Sequence, residues 1–228
     1  MIELKEYIQP SIEILGIRID EPVTTLTDLA VSVVCFYAFA KLSRLEIRNK
    51  VQLFLKYYFL SMGLATAMGG IIGHAFFYHF TFYWKLPAWL TSMISVALIE
   101  RAAIEYARPI IKKSVGRFFG WINIIELLTF MTITFTTLNF FFVELHVVYG
   151  FGVVVLSFSI FIYRKTRAPG AFKFILAIAS AGGAMVFYTT KWGLGPWFIH
   201  LDISHSFMTL SAYMFYRGAM SVVKEPIG

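Results

Sequence analysis

The stretch VELHVVYGFGVVVLSFSIFIY, residues 143–163, is a run of 21 residues in which apolar side chains predominate. A helix of about 20 residues, rising 1.5 Å per residue, crosses the roughly 30 Å hydrocarbon core of a bilayer. Because lipid cannot satisfy backbone hydrogen-bonding groups, we expect such a segment to be helical. Similar stretches recur along the chain and predict seven transmembrane helices, at approximately 23–40, 54–77, 86–107, 118–138, 143–163, 171–189 and 199–220.

The composition of the whole chain is typical of a membrane protein. Of its 228 residues, 58% are hydrophobic and only 14% are charged, and the mean hydropathy is +0.71. No repeat or long linker divides the chain, so we predict one all-α domain, a seven-transmembrane helix bundle over residues 1–228. Residues 1–22 lack the features of a cleavable secretory signal, and we expect them to lie outside the membrane as an amphipathic surface segment.

The distribution of lysine and arginine predicts the orientation of the bundle. Basic residues concentrate in the first, third and fifth connections, which we therefore place in the cytoplasm. The N-terminus then lies outside and the C-terminus is cytoplasmic, in a plasma membrane or an inner membrane. The net charge of +7 is dispersed over these connections, so it does not indicate nucleic-acid binding. The basic residues are Lys41, Arg44, Arg48, Lys50, Arg108, Lys112, Lys113, Arg117, Arg164, Lys165, Arg167 and Lys173.

The five histidines fall at segment ends that this topology places on one side of the membrane. They are His74, His79, His146, His200 and His205. The second helix ends in GGIIGHAFFYHF and the seventh opens with WFIHLDISHSF, so two pairs of imidazoles are expected at a similar depth. His146 and Glu144 are predicted to lie in a short outer loop, where we favour a solvated role over metal binding.

Helical spacing selects candidates for a metal site. Positions five apart point about 140° apart, so only one histidine of each pair can face a shared centre. Asp202 and His205 are three apart and can face it together. We therefore predict His74, Asp202 and His205 as metal ligands, with His200 or His79 available if a helix end is irregular. The single cysteine, Cys35, cannot form an internal disulfide or a thiolate cluster, so the ligands are nitrogen and oxygen.

Acidic residues inside predicted spans provide further candidates. Asp28 lies within the first two turns of its span, where a carboxylate is costly unless it faces a partner in the bundle. It could orient a ligating imidazole or bind the metal itself, and Asp28 or Asp202 would handle the proton in catalysis. Arg101 is expected to pair with Glu105. Glu126 is expected to be interfacial or to pair with Arg101 as well.

Glycines at positions 69, 70 and 73 precede His74 and predict a close approach between helices. A small-residue surface of this kind allows the backbones of two helices to come near each other. Packing is the simplest explanation for these residues.

This pattern resembles the superfamily of alkaline ceramidases and progestin and adiponectin receptors over most of the chain. His74 matches that superfamily's zinc ligand in helix two, and His205 matches its second ligand in helix seven. The match is incomplete, because the first ligand of an HxxxH pair would fall at Leu201, an expected serine is Gly70, and an expected aspartate is Lys85. The resemblance implies a seven-span fold, an intramembrane zinc ion and hydrolysis of a lipid amide.

Several functions follow from these residues. The first is a zinc-dependent hydrolase that acts on a lipid amide or ester entering laterally from the membrane, through a zinc-bound water. A heme electron carrier could use His74 and His205 as axial ligands. A receptor or a proton-linked transporter could use the same acids and histidines without metal. Interfacial histidines that bind lipid headgroups are the simplest alternative.

Overall fold

A computed structural model describes residues 7–47 and 49–227 of the chain. In this part, an antiparallel hairpin of two short strands precedes the helices: β1 (Ile12–Ile14) and β2 (Ile17–Ile19). Residues 1–6 of the predicted N-terminal segment, Arg48 of the first basic connection and Gly228 lie outside the described residues.

The rest of the described chain folds into seven helical rods, which agree with the predicted helices to within a few residues. Two of the rods contain a π-helical segment, which we number in chain order. The bounds are α1 (Pro22–Ser43), α2 (Lys50–Met68) with the first π segment (Gly69–Ala75), α3 (Leu86–Ala107), α4 (Lys113–Thr137), α5 (Phe141–Val147) with the second π segment (Val148–Val155) and α6 (Leu156–Thr166), α7 (Pro169–Thr190) and α8 (His200–Lys224). Short 3₁₀ turns cover Phe77–His79, Phe82–Lys85 and Arg108–Ile110.

Within the described residues, five helices are long and apolar enough to cross a membrane. These helices confirm the all-α class and indicate a membrane protein. The rods that carry His74 and His205 are not among them. The five helices are Pro22–Ser43, Phe82–Ile110, Lys113–Thr137, Phe141–Thr166 and Pro169–Thr190.

The rods pack in a ring. α1 lies between α2 and α8, α2 packs on α3, and α8 packs on α7. The rod from α5 to α6 closes the ring, because it contacts both α3 and α7. α4 lies outside this ring against α3 and α5, and only four of its residues are buried. Most of α4 therefore faces the surroundings of the bundle.

An aromatic cluster fills the centre of the ring. The ring of Phe215 on α8 contacts Tyr58 of α2 at 5.8 Å, Phe151 of the second π segment at 5.4 Å and Phe174 of α7 at 5.5 Å, measured between centroids. Phe215 and Phe174 are almost completely buried. Burial of large apolar side chains from four rods holds them together at this level.

The N-terminal segment contributes a buried side chain as well as the surface hairpin. Gln9 is 5% exposed, and its Oε1 accepts hydrogen bonds from the backbone N–H groups of Val23 (2.8 Å) and Thr24 (3.2 Å), which begin α1. Its Nε2 donates to Asp202 of α8 at 3.1 Å. The expected amphipathic surface segment is thus a hairpin anchored by a side chain that caps one helix and binds another.

One ion pair differs from the prediction. Glu105 pairs with Arg108 at 3.0 Å, one turn further along the chain, and not with Arg101. Arg101 instead packs its guanidinium against Gly120 of α4. Arg108 is three residues after Glu105, a spacing that places two side chains next to each other on a helix, so it competes with Arg101 for the same carboxylate.

Replacing Gln9 tests the role of this anchor. Gln9→Ala leaves two N–H groups at the start of α1 without their acceptor, so we expect the free energy of unfolding to fall by about 1–3 kcal/mol. Thermal unfolding of the purified protein, followed by circular dichroism, measures the change. Glu13→Ala, at an exposed position of the hairpin, is the matched control and should unfold like the wild type. Equal melting temperatures for all three proteins would contradict the proposed anchor.

Candidate functional site

Three predicted site residues meet between α1, the first π segment and α8. Asp28, His74 and His205 each offer one ligand atom, and these atoms lie within 4.8 Å of one another. The two imidazole rings are 6.0 Å apart between centroids and are inclined by 71°. We call these three residues the Asp28 cluster. The second and last rods thus bring one histidine each to a shared place beside the acid of the first.

Glycines allow the first π segment to approach Asp28. A Cβ atom at Gly69 would lie 2.7 Å from Oδ2 of Asp28, and one at Gly70 would lie 3.2 Å from the carbonyl oxygen of Thr25. The predicted close approach is therefore confirmed for these two glycines, whereas Gly73 has open space at its Cα. A larger residue at position 69 would displace the Asp28 carboxylate.

The π-helical geometry also aligns His74. In an α-helix, position 74 would point about 140° away from position 69, which lies five residues earlier in the chain. The i→i+5 pattern of a π-helix brings positions five apart nearer to one face. Gly69 and His74 can therefore both face Asp28.

The ring of His74 is oriented by Glu21. His74 Nδ1 lies 2.5 Å from Oε2 of Glu21, which precedes α1. The backbone of Glu21 is left-handed (φ 43°, ψ 54°), an uncommon conformation for a residue with a side chain, and the neighbouring N–H of Asp20 donates to the carbonyl of Ala75 at 3.0 Å. The hydrogen bond with His74 holds the pKa of Glu21 below its ordinary value, and partial burial opposes this effect. An ionised Glu21 accepts the Nδ1 proton and leaves Nε2 of His74 with its lone pair.

The ring of His205 is oriented by the hydroxyl group of Thr27. Nδ1 of His205 lies 3.2 Å from Oγ1 of Thr27, and that hydroxyl donates its single proton to the carbonyl of Thr24 at 3.0 Å. The Thr27 oxygen can then only accept from His205, so Nδ1 carries the proton. Nε2 of His205 is left as a potential ligand. Both imidazoles thus have the tautomer that metal-binding histidines usually adopt.

The distances of the Asp28 cluster are compatible with zinc. Zinc bound to nitrogen and oxygen at about 2.0–2.2 Å in a tetrahedral site holds its ligand atoms about 3.4 Å apart. The ligand atoms of the cluster lie within 4.8 Å of one another, so zinc binding would draw them together by at most about 1.4 Å. Two imidazoles and one carboxylate match the ligand chemistry of catalytic zinc sites, which keep a fourth position open.

A cavity of about 360 Å³ lies beside His74. Its walls combine the charged groups of Glu21 and Lys85 with the apolar side chains of Phe77 and Leu201. The ammonium of Lys85 lies 4.3 Å from the centre of the Phe77 ring. This cavity can admit a molecule that has both a polar group and an apolar chain.

The other predicted ligands lie elsewhere. Asp202 is fully buried, and its carboxylate accepts hydrogen bonds from Thr24 Oγ1 (2.7 Å), Gln9 Nε2 (3.1 Å) and the backbone N–H of Ile199 (2.6 Å). These bonds cap α8 and join it to α1, so the structure does not bring Asp202 into the Asp28 cluster. His200, the first residue of α8, is buried outside that cluster as well.

His79 lies on the surface of the chain. It ends a 3₁₀ turn, its side chain is exposed, and its ring packs against that of Tyr78 at 4.2 Å. The structure therefore gives His79 no place in the Asp28 cluster.

The expected position of His146 in a solvated loop is wrong. His146 lies in α5 with no exposed surface, and its Nδ1 is 2.6 Å from Oε1 of Glu126. Glu100 of α3 completes a second group whose ligand atoms lie within 4.8 Å of one another. We call these three residues the Glu100 cluster. Sequence analysis missed it, although Glu100 and Glu126 carry the signal that singled out Asp28, a carboxylate inside an apolar helix.

The chain was compared with known proteins. The profile of a family of unknown function, DUF6962, matches residues 23–224. This range includes every member of the Asp28 and Glu100 clusters. No curated protein and no solved structure matches the chain. Because the match covers most of its length, the chain belongs to the DUF6962 family of proteins of unknown function.

Proposed function

We propose that this protein is a zinc-dependent membrane hydrolase that cleaves a lipid amide or ester at the Asp28 cluster. The observation that carries the proposal is the meeting of two imidazoles and one carboxylate, with Nδ1 of each imidazole already engaged by Glu21 or Thr27. The Nε2 atoms are then the positions at which these two rings could bind a metal ion. The resemblance to the alkaline ceramidase superfamily rests on the same two histidines.

The proposed ligand set is Asp28, His74 and His205. It keeps both histidines expected from the sequence and takes Asp28 as the carboxylate, because Asp202 already binds three protein donors. A bound zinc ion would lower the pKa of a coordinated water and polarise a carbonyl group. Glu21 would hold the ring of His74 in place during the reaction.

The proton released from water needs an acceptor at the site. Glu21 lines the cavity and is partly exposed, and its Oε1, which His74 does not engage, could accept this proton. Asp28, the acceptor expected from the sequence, could take the same role in a complex where it does not bind the metal. A carboxylate within reach of the nucleophilic water is the usual general base in such sites.

We further propose that all seven rods cross the membrane, with the N-terminus outside, in a plasma or inner membrane. Two rods, α2 with its π segment and α8, are less apolar than the other five. Each of these two rods lies between apolar neighbours in the ring. A lipid would reach the cavity laterally, with its polar group near Glu21 and Lys85. The Asp28 cluster would then lie near the outer leaflet.

Metal analysis of the purified full chain tests the site directly. We expect about one zinc per chain in the wild type and the loss of most of it in His74→Ala and in His205→Ala. His79→Ala is the matched control, because His79 is exposed and lies outside the Asp28 cluster, and it should bind zinc like the wild type. A wild type that folds and binds no metal would end the proposal. A Soret band in its absorption spectrum would instead identify the heme alternative.

Glu21→Gln tests the orientation of His74. Removing the charge that accepts the Nδ1 proton should weaken zinc binding by about 10- to 100-fold, the usual effect of losing such a partner. Competition with a zinc chelator measures this affinity. Glu13→Gln removes an exposed carboxylate from the same N-terminal segment and should not change it. Equal zinc affinities for Glu21→Gln and the wild type would show that Glu21 does not orient the ligand.

Activity is tested in vesicles that contain N-acyl lipids or ester lipids. The wild type should release fatty acid, detected by mass spectrometry, and a chelator should stop the release until zinc is restored. His205→Ala should lose nearly all activity, and His79→Ala should keep it. If zinc is bound and no lipid class is hydrolysed, the hydrolase is excluded. Stabilisation by a lipid without turnover would then favour the receptor or the transporter.

A further inference from the structure

We infer that the Glu100 cluster is a second site, which binds a titratable proton inside the helical bundle. The site is separate from the Asp28 cluster and does not depend on the hydrolase activity. Its three members come from three different rods: Glu100 from α3, Glu126 from α4 and His146 from α5.

The Glu100 cluster is enclosed. Glu100 and the side chain of His146 have no exposed surface, and the side chain of Glu126 is 9% exposed. The second π segment covers the site, since a Cβ atom at Gly150 would lie 2.6 Å from Oε1 of Glu100. An enclosed site of this kind penalises net charge strongly.

Both nitrogens of His146 face hydrogen-bond acceptors. Nε2 lies 2.9 Å from the backbone carbonyl of Met93, which can only accept, so Nε2 carries a proton. Nδ1 lies 2.6 Å from Oε1 of Glu126, and this contact requires one more proton, held by the imidazole or by the carboxyl. His146 therefore has no lone pair to offer a metal in this arrangement. The pair that it forms with Glu126 is neutral overall in either form.

The carboxyl of Glu100 has no such partner. Its Oε2 accepts a hydrogen bond from Nδ2 of Asn123 at 3.3 Å, and Oε1 is buried without a hydrogen bond. Oε2 of Glu126 is likewise buried without a hydrogen bond. In the described part of the chain, no lysine or arginine forms an ion pair with either glutamate. A negative charge on Glu100 would thus be uncompensated.

Charge counting then fixes the number of protons. With Nε2 protonated, the remaining basic sites are Nδ1 of His146 and the carboxyl groups of Glu100 and Glu126. Without protons on these sites the cluster carries a charge of about −2, so neutrality requires two protons among the three groups. His146 and Glu126 share one. The other belongs to Glu100, and Oε2 of Glu126 is a buried acceptor of the cluster to which no described residue donates.

The surroundings contain few other titratable groups. Tyr149 of the second π segment is close enough to interact electrostatically with both glutamates, and Asn123 of α4 is a neutral donor. Arg101, the next residue on α3, packs its guanidinium against Gly120 of α4. The proton on Glu100 is therefore governed mainly by burial, by Glu126 and His146, and by the hydrogen bond from Asn123. Glu126 is the member of the cluster that has some exposed side-chain surface.

Infrared difference spectroscopy of the purified full chain in lipid nanodiscs tests this site. A protonated carboxyl group has a C=O stretch separate from that of a carboxylate. We expect a protonated-carboxyl band in the wild type at neutral pH, its loss at alkaline pH, and a loss of its Glu100 component in Glu100→Gln, seen as a negative band in the difference between the two proteins. Glu144→Gln is the matched control: Glu144 lies on the same helix as His146 but outside the cluster, so the band should persist.

Two further measurements keep the test decisive. If Glu100→Gln does not fold, the wild type with ¹³C-labelled glutamate carries the test, because the band must shift with the label. A wild type without a protonated glutamate band at neutral pH overturns the proposal. So does a metal ion that persists in the double variant His74→Ala, His205→Ala and is lost in His146→Gln, because the cluster would then be a metal site. Neither result depends on whether the Asp28 cluster binds zinc.

Discussion

The carboxylate of Asp202 fixes how α1 and α8 meet. It accepts a hydrogen bond from Thr24 of α1 at 2.7 Å and caps its own helix. Three residues further along each helix, Thr27 meets His205 at 3.2 Å. Positions three apart lie about 60° apart on a helix, so a single register produces both contacts. The same register brings Asp28, the neighbour of Thr27, to His205, and the Asp28 cluster depends on it.

Polar contacts also explain why α8 is less apolar than its neighbours. Ser211 of α8 donates to the carbonyl of Ala177 at 2.8 Å, and Ser180 of α7 donates to the carbonyl of Phe207 at 2.8 Å. Hydroxyl groups that bond across a helix interface replace apolar side chains there and stabilise the packing of helices in a bundle. Hydropathy therefore underestimates a helix whose polar face is covered by protein, and helix length and position in the ring are better guides to its place in the fold.

The helices and one pair of site residues could be predicted from the sequence, because they depend on local periodicity. The apolar stretches of the sequence predicted the positions of the rods. The expected similar depth of His74 and His205 in the membrane predicted that they lie close together. Which carboxylate joins them could not be predicted in the same way. Asp202 has the better helical spacing to His205, but Gln9 and Thr24 occupy its oxygens, and contacts so distant in sequence depend on how the helices pack. The π segment, which aligns His74 with Asp28, also has no local signal beyond its glycines.

The Asp28 cluster contains two histidines and one carboxyl group, whereas the Glu100 cluster contains one histidine and two carboxyl groups, and hydrogen-bond partners decide the chemistry of each. In the Asp28 cluster, Nδ1 of each imidazole is hydrogen-bonded to Glu21 or to Thr27, so Nε2 remains a potential metal ligand. In the Glu100 cluster, the carbonyl of Met93 and the carboxyl of Glu126 engage both nitrogens of His146, so the ring can only hold and share protons. The acceptors that surround each ring make the first suitable for a metal ion and the second for a proton.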